Sequence, residues 1–468
     1  MAALSAPRSR SFPVRAVAIV GCMVAIVAAS QLAAALRTPP ATTPVQQDLA
    51  PLVPNVADLD VGTAESQSHA EEVALINGDI TFWSARFKAH PTDFVSATQW
   101  GVREIDLGRA TGDVTAYLRA DAAFDAALRT FGENPAAIGY KGSVLISLHR
   151  FSDARDLAKG VLATQPNDPV ALATLGDASL ELGDVSGARD AFVRVNSLVP
   201  SAATLVRLSH LAFVEGDTAT AVRDARAAVP LSVQEGTQGE RAAWYQFQLG
   251  ETLIGTGDIA GATTAYRAAV AADANSYWAH SGLSRALTAN GDLGGAIEEM
   301  TSAIGIVPLP DFLARRGDLY TLRAGPGDAA KATRDYALVE AEAKLAGEAS
   351  YVYDRTLVLY LANHGLDPAR ALSLATAELA IRKDVYGYDA YAWALLAAGR
   401  PADADAAMKS ALSFGTKDAK LLYHAGMIAA ALGDTGRART SLQAALSLDP
   451  SFDPLQAQRA RDTLAGLR

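Results

Sequence analysis

This chain could do chemistry only through a sparse set of side chains: seven histidines, one cysteine, and scattered acids and bases. The histidines stand at 69, 90, 149, 210, 280, 364 and 424, with no short metal-ligand spacing between any two. A helical zinc site needs imidazoles about one turn apart, so the pattern assigns no metal ligand. Cys22 stands alone, which excludes an internal disulfide and a thiolate cluster. The acid pairs Glu71-Glu72 and Glu298-Glu299, like Arg315-Arg316, read as solvated helix faces. A glycine-lysine phosphate cradle, a calcium loop and a nucleophile elbow are all missing. No catalytic or cofactor-binding residue, metal or cofactor is therefore expected, and the chain reads as a non-enzyme.

What the chain does have is a period. Gly183-Asp184, Gly257-Asp258, Gly291-Asp292 and Gly433-Asp434 each lie between two apolar helical patterns. Trp244 recurs as Trp278, Ala262 as Ala296, Ala404 as Ala438 and Ala411 as Ala445, each pair 34 residues apart. A repeat of that length stacks helix pairs, each burying its apolar face only against its neighbours. In the turn, glycine takes the left-handed conformation that closes one helix, and aspartate caps the next. Alanines 154, 188, 221, 262, 296, 404 and 438 follow at the place where paired helices cross, and a larger side chain there would force them apart. Asn134-Pro135 and Asp168-Pro169 open consecutive units with a cap and a first-turn proline. Pro166, Pro200, Pro308 and Pro450 end second helices at matching places.

Composition agrees with an all-α array. The 468 residues are 50% hydrophobic and 20% charged, enough for a sizeable core. A net charge of -10 argues against a nucleic-acid surface, whose footprint is a basic stripe. The repeats leave no unassigned stretch beyond about 30 residues in the body, too short for a separate catalytic domain.

The N-terminus carries a second signal. Arg8, Arg10 and Arg15 precede an uncharged run of 21 residues, Ala16 to Leu36. At about 1.5 Å per residue that run would span roughly 30 Å of hydrocarbon. The arginines place its start inside and the body outside the membrane. Its length favours an uncleaved signal anchor over a cleaved signal peptide, although Ala33-x-Ala35 and Ala28-x-Ser30 would serve as cleavage sites. A lipid-attachment box at Ile19-Val20-Gly21-Cys22 fits less well, because the apolar run continues past it. Residues 38–64 hold five prolines and read as an extended linker. Residues 1–37 are thus the anchor or signal, 38–64 the linker and 65–133 irregular helical units. The repeat array is expected over 134–450 and a capping helix over 451–468. A longer inter-unit loop is expected from Leu231 to Gly239.

Leu175-Gly176, Gly183-Asp184, Ala188, Phe192 and Pro200 resemble a tetratricopeptide repeat, and so do Leu249-Gly250, Gly257-Asp258, Ala262, Tyr266 and Ala269. The resemblance runs from about 92 to 450, with departures at Ala324-Gly325-Pro326-Gly327-Asp328 and Asn363-His364-Gly365. It implies an α-solenoid of about nine to ten helix hairpins behind one N-terminal transmembrane or signal helix. It further implies that the first helix of each unit lines a concave groove taking a protein or peptide partner. On that pattern the groove-facing residues are Asp177, Trp244, Phe247, Glu251, Trp278, Arg285, Tyr386, Asp389, Trp393, Lys420 and Tyr423. The expected function is a non-catalytic scaffold for protein–protein contacts at the outer side of the cytoplasmic membrane, single-pass. The alternative is a secreted or periplasmic protein, released by signal cleavage, whose groove holds a polymer or lipid. An enzyme is the third reading.

Overall fold

The computed structural model describes residues 69–348 and 355–467, and among them every regular element is an α-helix. The candidate anchor and the proline-rich linker lie outside these residues. No helix among the described residues is long and apolar enough to cross a membrane.

A leading helix, α1 (His69–Ala89), is followed by ten antiparallel hairpins and a final helix. The first five hairpins are α2 (Phe94–Thr111) with α3 (Val114–Thr130), α4 (Pro135–Ser147) with α5 (Phe151–Thr164), α6 (Pro169–Glu181) with α7 (Val185–Leu198), α8 (Ala202–Val214) with α9 (Thr218–Gln234), and α10 (Gly239–Gly255) with α11 (Ile259–Ala272). Then come α12 (Tyr277–Ala289) with α13 (Leu293–Ile306), α14 (Pro310–Arg323) with α15 (Asp328–Glu348), α16 (Arg355–His364) with α17 (Pro368–Ile381), α18 (Val385–Ala397) with α19 (Pro401–Leu412), and α20 (Ala419–Ala431) with α21 (Thr435–Leu448). The closing helix is α22 (Gln456–Gly466), whose Ala457 and Ala460 cover the apolar face of α20 and α21 through Tyr423 and Leu442.

The turns form for the expected reasons. Gly183, Gly257, Gly291 and Gly433 all have positive φ, and the aspartate after each caps the next helix. Asp258, for example, accepts from the Gly261 N–H at 2.9 Å. Several hairpins depart from the rule: His149 and Ala324 occupy the left-handed position at φ 56 and 50, and neither Arg150 nor Arg400 makes a side-chain cap. The loop expected at 231–239 is shorter than that, because α9 runs through Pro230 to Gln234. Pro230 is exposed, on the solvent side of the helix, where losing one donor is least costly.

Packing follows the small residues. Alanines 154, 188, 221, 262, 296, 404 and 438 are all fully buried, so each second helix sits down on its partner at a methyl group. The first helices of successive units pack directly on one another, a contact the second helices make far less. The array therefore curves with its first helices inside. Ala262→Trp should overpack such a crossing and cost about 1–3 kcal/mol or more, whereas Glu298→Ala, on an exposed position, should stay within about 0.5 kcal/mol. Thermal melts compare the two, and equal effects would reject this register.

Candidate partner-binding groove

The inner wall is the line of first helices, and a series of polar rungs joins each to the next. Arg207 on α8 donates to both Asp177 oxygens on α6 at 2.8 Å, with both side chains buried. Burial raises the Asp177 carboxyl pKa, and the guanidinium pulls it back. Arg285 on α12 donates to both Glu251 oxygens on α10 at 2.8 Å, and the Tyr266 hydroxyl donates to the same carboxylate at 2.6 Å. His364 on α16 reaches Asp318 on α14 at 2.8 Å. Its other ring nitrogen faces the Tyr360 carbonyl at 2.9 Å. Burial alone would lower its pKa, but the hydrogen bond and charge of Asp318 outweigh burial and raise it. Trp393 on α18 donates to Asn363 on α16 at 2.8 Å, and His424 on α20 donates to Asp389 on α18 at 2.8 Å. Removing one partner of a buried ion pair such as Asp177–Arg207 costs about 3–5 kcal/mol, so these rungs fix the wall's shape.

This places the sequence-derived groove residues in two groups. Asp177, Trp244, Phe247, Asp389, Trp393 and Tyr423 are buried. Trp244 packs edge-on against Tyr245 at 5.0 Å, and Trp393 stacks on His424 at 4.2 Å. The Tyr423 hydroxyl donates to Gln456 at 2.7 Å. These aromatic side chains are taken up in helix packing. Glu251, Trp278, Arg285 and Tyr386 are partly accessible, and Lys420 is exposed. They are the part of the set left accessible.

The groove is closed along one side by the chain itself. Asn275 donates to Glu72 at 3.3 Å, 203 residues away. Arg382 pairs with Glu181 over 201 residues, and Thr416 donates to the Val214 carbonyl at 2.5 Å over 202. Gly183 lies against the Lys383 carbonyl, Gly216 against that of Gly415 and Gly257 against that of Leu448. After between five and six hairpins the superhelix thus meets its own earlier turn, rung after rung. Within-hairpin turns of the first winding touch between-hairpin connections of the second. The Arg382 guanidinium also lies 5.5 Å over the Phe151 ring, and Phe414 packs into the apolar cluster of Leu180 and Val214. Across the enclosed groove, Asp106 on α2 feels Glu240 and Arg241 on α10, while Lys420 on α20 feels Arg315 and Arg285.

Stacked antiparallel hairpins with capped glycine turns and methyl-sized crossings are the geometry that one repeat family builds. Tetratricopeptide-repeat profiles match residues 105–169, 141–203, 247–309 and 419–452. The chain carries tetratricopeptide repeats. No curated protein matches it. Among solved structures it is similar to YrrB, described as a TPR protein with an unusual peptide-binding site, at 18% identity over 40% of this chain and 93% of that one, TM-score 0.28. It is also similar to MamA, at 20% identity over 35% and 92%, TM-score 0.29.

The repeats let one signal be read back into the sequence. Asp177–Arg207, Glu251–Arg285 and Asp389–His424 are acid–base pairs 30, 34 and 35 residues apart, close to one repeat. Arg207, Asp318, Asn363, His364 and His424 belong to the inner wall and were not among the sequence-derived residues. No signal of that kind marks the seam, because 200-residue separations depend on the accumulated rotation of every hairpin between them.

Two substitutions test the seam. Gly216 and Gly433 have φ of 75 and 76, so alanine strains both backbones alike. Only at Gly216 would the added methyl strike another turn, since nothing lies within 4 Å at Gly433. Gly216→Ala should therefore lower the melting temperature by several degrees more than Gly433→Ala, and equal losses would show that the two windings do not touch. Acid should act on the same seam through His149, which stacks on Phe151 at 5.4 Å. Burial, then the charges of Arg382 and Arg355, push its pKa down to about 3. The fold prefers the neutral ring, so this contribution is complete above the ordinary 6.5 and is lost as pH falls toward 3. By about pH 5 the loss amounts to about 1–2 kcal/mol. His149→Asn, which tolerates the left-handed backbone, should lose that much less than wild type between about pH 7.5 and pH 5 in urea titrations. His364 and His280, whose raised values act in the opposite sense, are common to both proteins and cancel.

Proposed function

We propose that this protein is a non-catalytic scaffold that holds an extended segment of a protein partner along the inner face of its repeats. The supporting observation is that Glu251, Trp278, Arg285, Tyr386 and Lys420, on the first helices α10, α12, α18 and α20, remain accessible beside rigid polar rungs. Curved repeat stacks present such concave faces because each unit adds the same small rotation. The mix of aromatic and charged groups there suits a peptide's apolar side chains and its flanking charges. Placement at the outer side of the cytoplasmic membrane is part of the same proposal. It rests on the three arginines before the uncharged run at 16–36.

A photo-cross-linking side chain placed in the full chain at Tyr386 or Lys420 should give discrete partner adducts in native membranes. The same group at Val193, 55% exposed on α7 outside the curve, should give none. Adducts of equal yield from both faces would reject the groove as the binding surface.

A further inference from the structure

The two ends of the array are finished differently. At the C-terminal end α22 turns Gln458, Arg459, Arg461 and Asp462 to solvent, the polar outer face that a terminal repeat needs. At the other end α1 is half a hairpin. It packs on α2 and α3 through Val73, Ile76, Ile80 and Phe87, and only Ile76 of its 21 residues is fully buried. Its charged residues Asp79 and Arg86 turn the same way, to Arg103 at 3.3 Å and Asp93 at 3.1 Å. The opposite face carries Ala74, Leu75, Gly78, Phe82, Ala85 and Ala89 at helical spacing, all exposed. Leu75 is 44% exposed and Phe82 37%, and no exposed residue from Ala74 to Phe87 is charged. A surface helix ordinarily presents charge there.

Bulk and gap on this face are placed symmetrically about Ile80. Gly78 stands two residues before it and Phe82 two after, while Leu75 stands five before and Ala85 five after. When a second α1 crosses antiparallel at that level, Phe82 of each copy lies over Gly78 of the other, and Leu75 of each over Ala85 of the other. A methyl group at Gly78 would meet nothing within 4 Å among the described residues, so the gap is there to be filled. The fold uses this same contact inside the stack, where Phe192 closes on Gly176 and Leu442 on Gly426. Charge agrees with the antiparallel sense: exposed Glu71, nine residues before Ile80, comes beside exposed Lys88, eight after, at both ends of the pair. A parallel pair would instead set Phe82 on Phe82 and Lys88 beside Lys88. Such reciprocity is what a two-fold interface requires, because one patch must serve both copies.

We propose that α1 is a self-association helix, and that two copies of this chain pair antiparallel through its outer face, about a two-fold axis at the level of Ile80. The pairing uses no residue of the inner wall and is independent of the groove reading.

The test uses the full chain in detergent, with Cys22→Ser so that no native thiol competes. Leu75→Cys and Ala85→Cys lie about 15 Å apart on one helix, too far for a disulfide within a chain, whose Cα atoms must come within about 7 Å. The double variant should therefore oxidise to a covalent dimer on a non-reducing gel, and either single variant should not. Gly78→Glu has room in the monomer and replaces a poor helix former, so it should melt no lower than wild type. In sedimentation it should nevertheless weaken dimerisation about tenfold or more. A dimer that survives Gly78→Glu, or disulfides that form equally in the single variants, would overturn the antiparallel pair. A wild-type chain that stays monomeric at every concentration would overturn it too, and thiol labelling of Leu75→Cys would then say what occupies the face. Slow labelling would assign it to residues 1–68 of the same chain, and fast labelling would leave it to a partner of another kind.

Discussion

Half of the ten hairpins rest on the close approach of an aromatic or branched side chain of the second helix to a glycine of the first. The Phe192 ring lies on Gly176, Phe124 on Gly101, Tyr336 on Gly317 and Leu442 on Gly426. Tyr266 is pressed between Gly250 of its own unit and Gly282 of the next, and is fully buried. A methyl group at any of these glycines would collide with the ring or side chain above it. Interiors packed at crystal-like density absorb such a change only by moving helices apart. The fold is thus specified less by large apolar residues than by where bulk is withheld. That accounts for a chain that is half hydrophobic but only 7% aromatic.

The same contacts transmit the core to the groove. Tyr266 fills the space between two units and then places its hydroxyl on Glu251, which in turn holds Arg285. Burial and the neighbouring Glu251 charge push the phenol pKa far up, so it remains a hydrogen-bond donor throughout the accessible pH range. The packing that sets the spacing of the units therefore also sets the position of a groove cation. In the C-terminal hairpins Trp393 does comparable work, packing among Tyr423 and His424 while its indole N–H holds Asn363.

The period, the caps and the alanine crossings were legible because each is a local rule repeated along the chain. Asp184, Asp258, Asp292 and Asp434 all cap as the turn chemistry requires. The facing of the first helices was less legible, for a physical reason. A first helix is enclosed by its own partner and by both neighbouring units, so most of its circumference is buried; in α6, ten of thirteen residues are. Apolar periodicity marks one buried stripe against one wet face, and it loses meaning when three sides are covered. Trp244, Phe247 and Tyr423 therefore look like groove residues in sequence and are core residues in the fold. The deviant turns show the opposite case: His149 and Arg150 break the glycine–aspartate rule, yet the hairpin forms because packing around Phe151 and Ala154 decides it.

Closure of the superhelix changes what the groove can accept. An open concave ribbon admits a partner from the side, but here the windings meet at Glu181–Arg382, Val214–Thr416 and Gly257–Leu448. These contacts are small and mostly between turns and carbonyl oxygens, unlike the continuous apolar packing within the stack. Local openings in proteins begin where few apolar contacts are lost, so the seam is the place where the ribbon would part first. A segment bound inside and touching both windings would oppose that parting. Binding and seam closure are then coupled with the same sign: whatever loosens the seam weakens the ligand, and the ligand tightens the seam by an equal free energy.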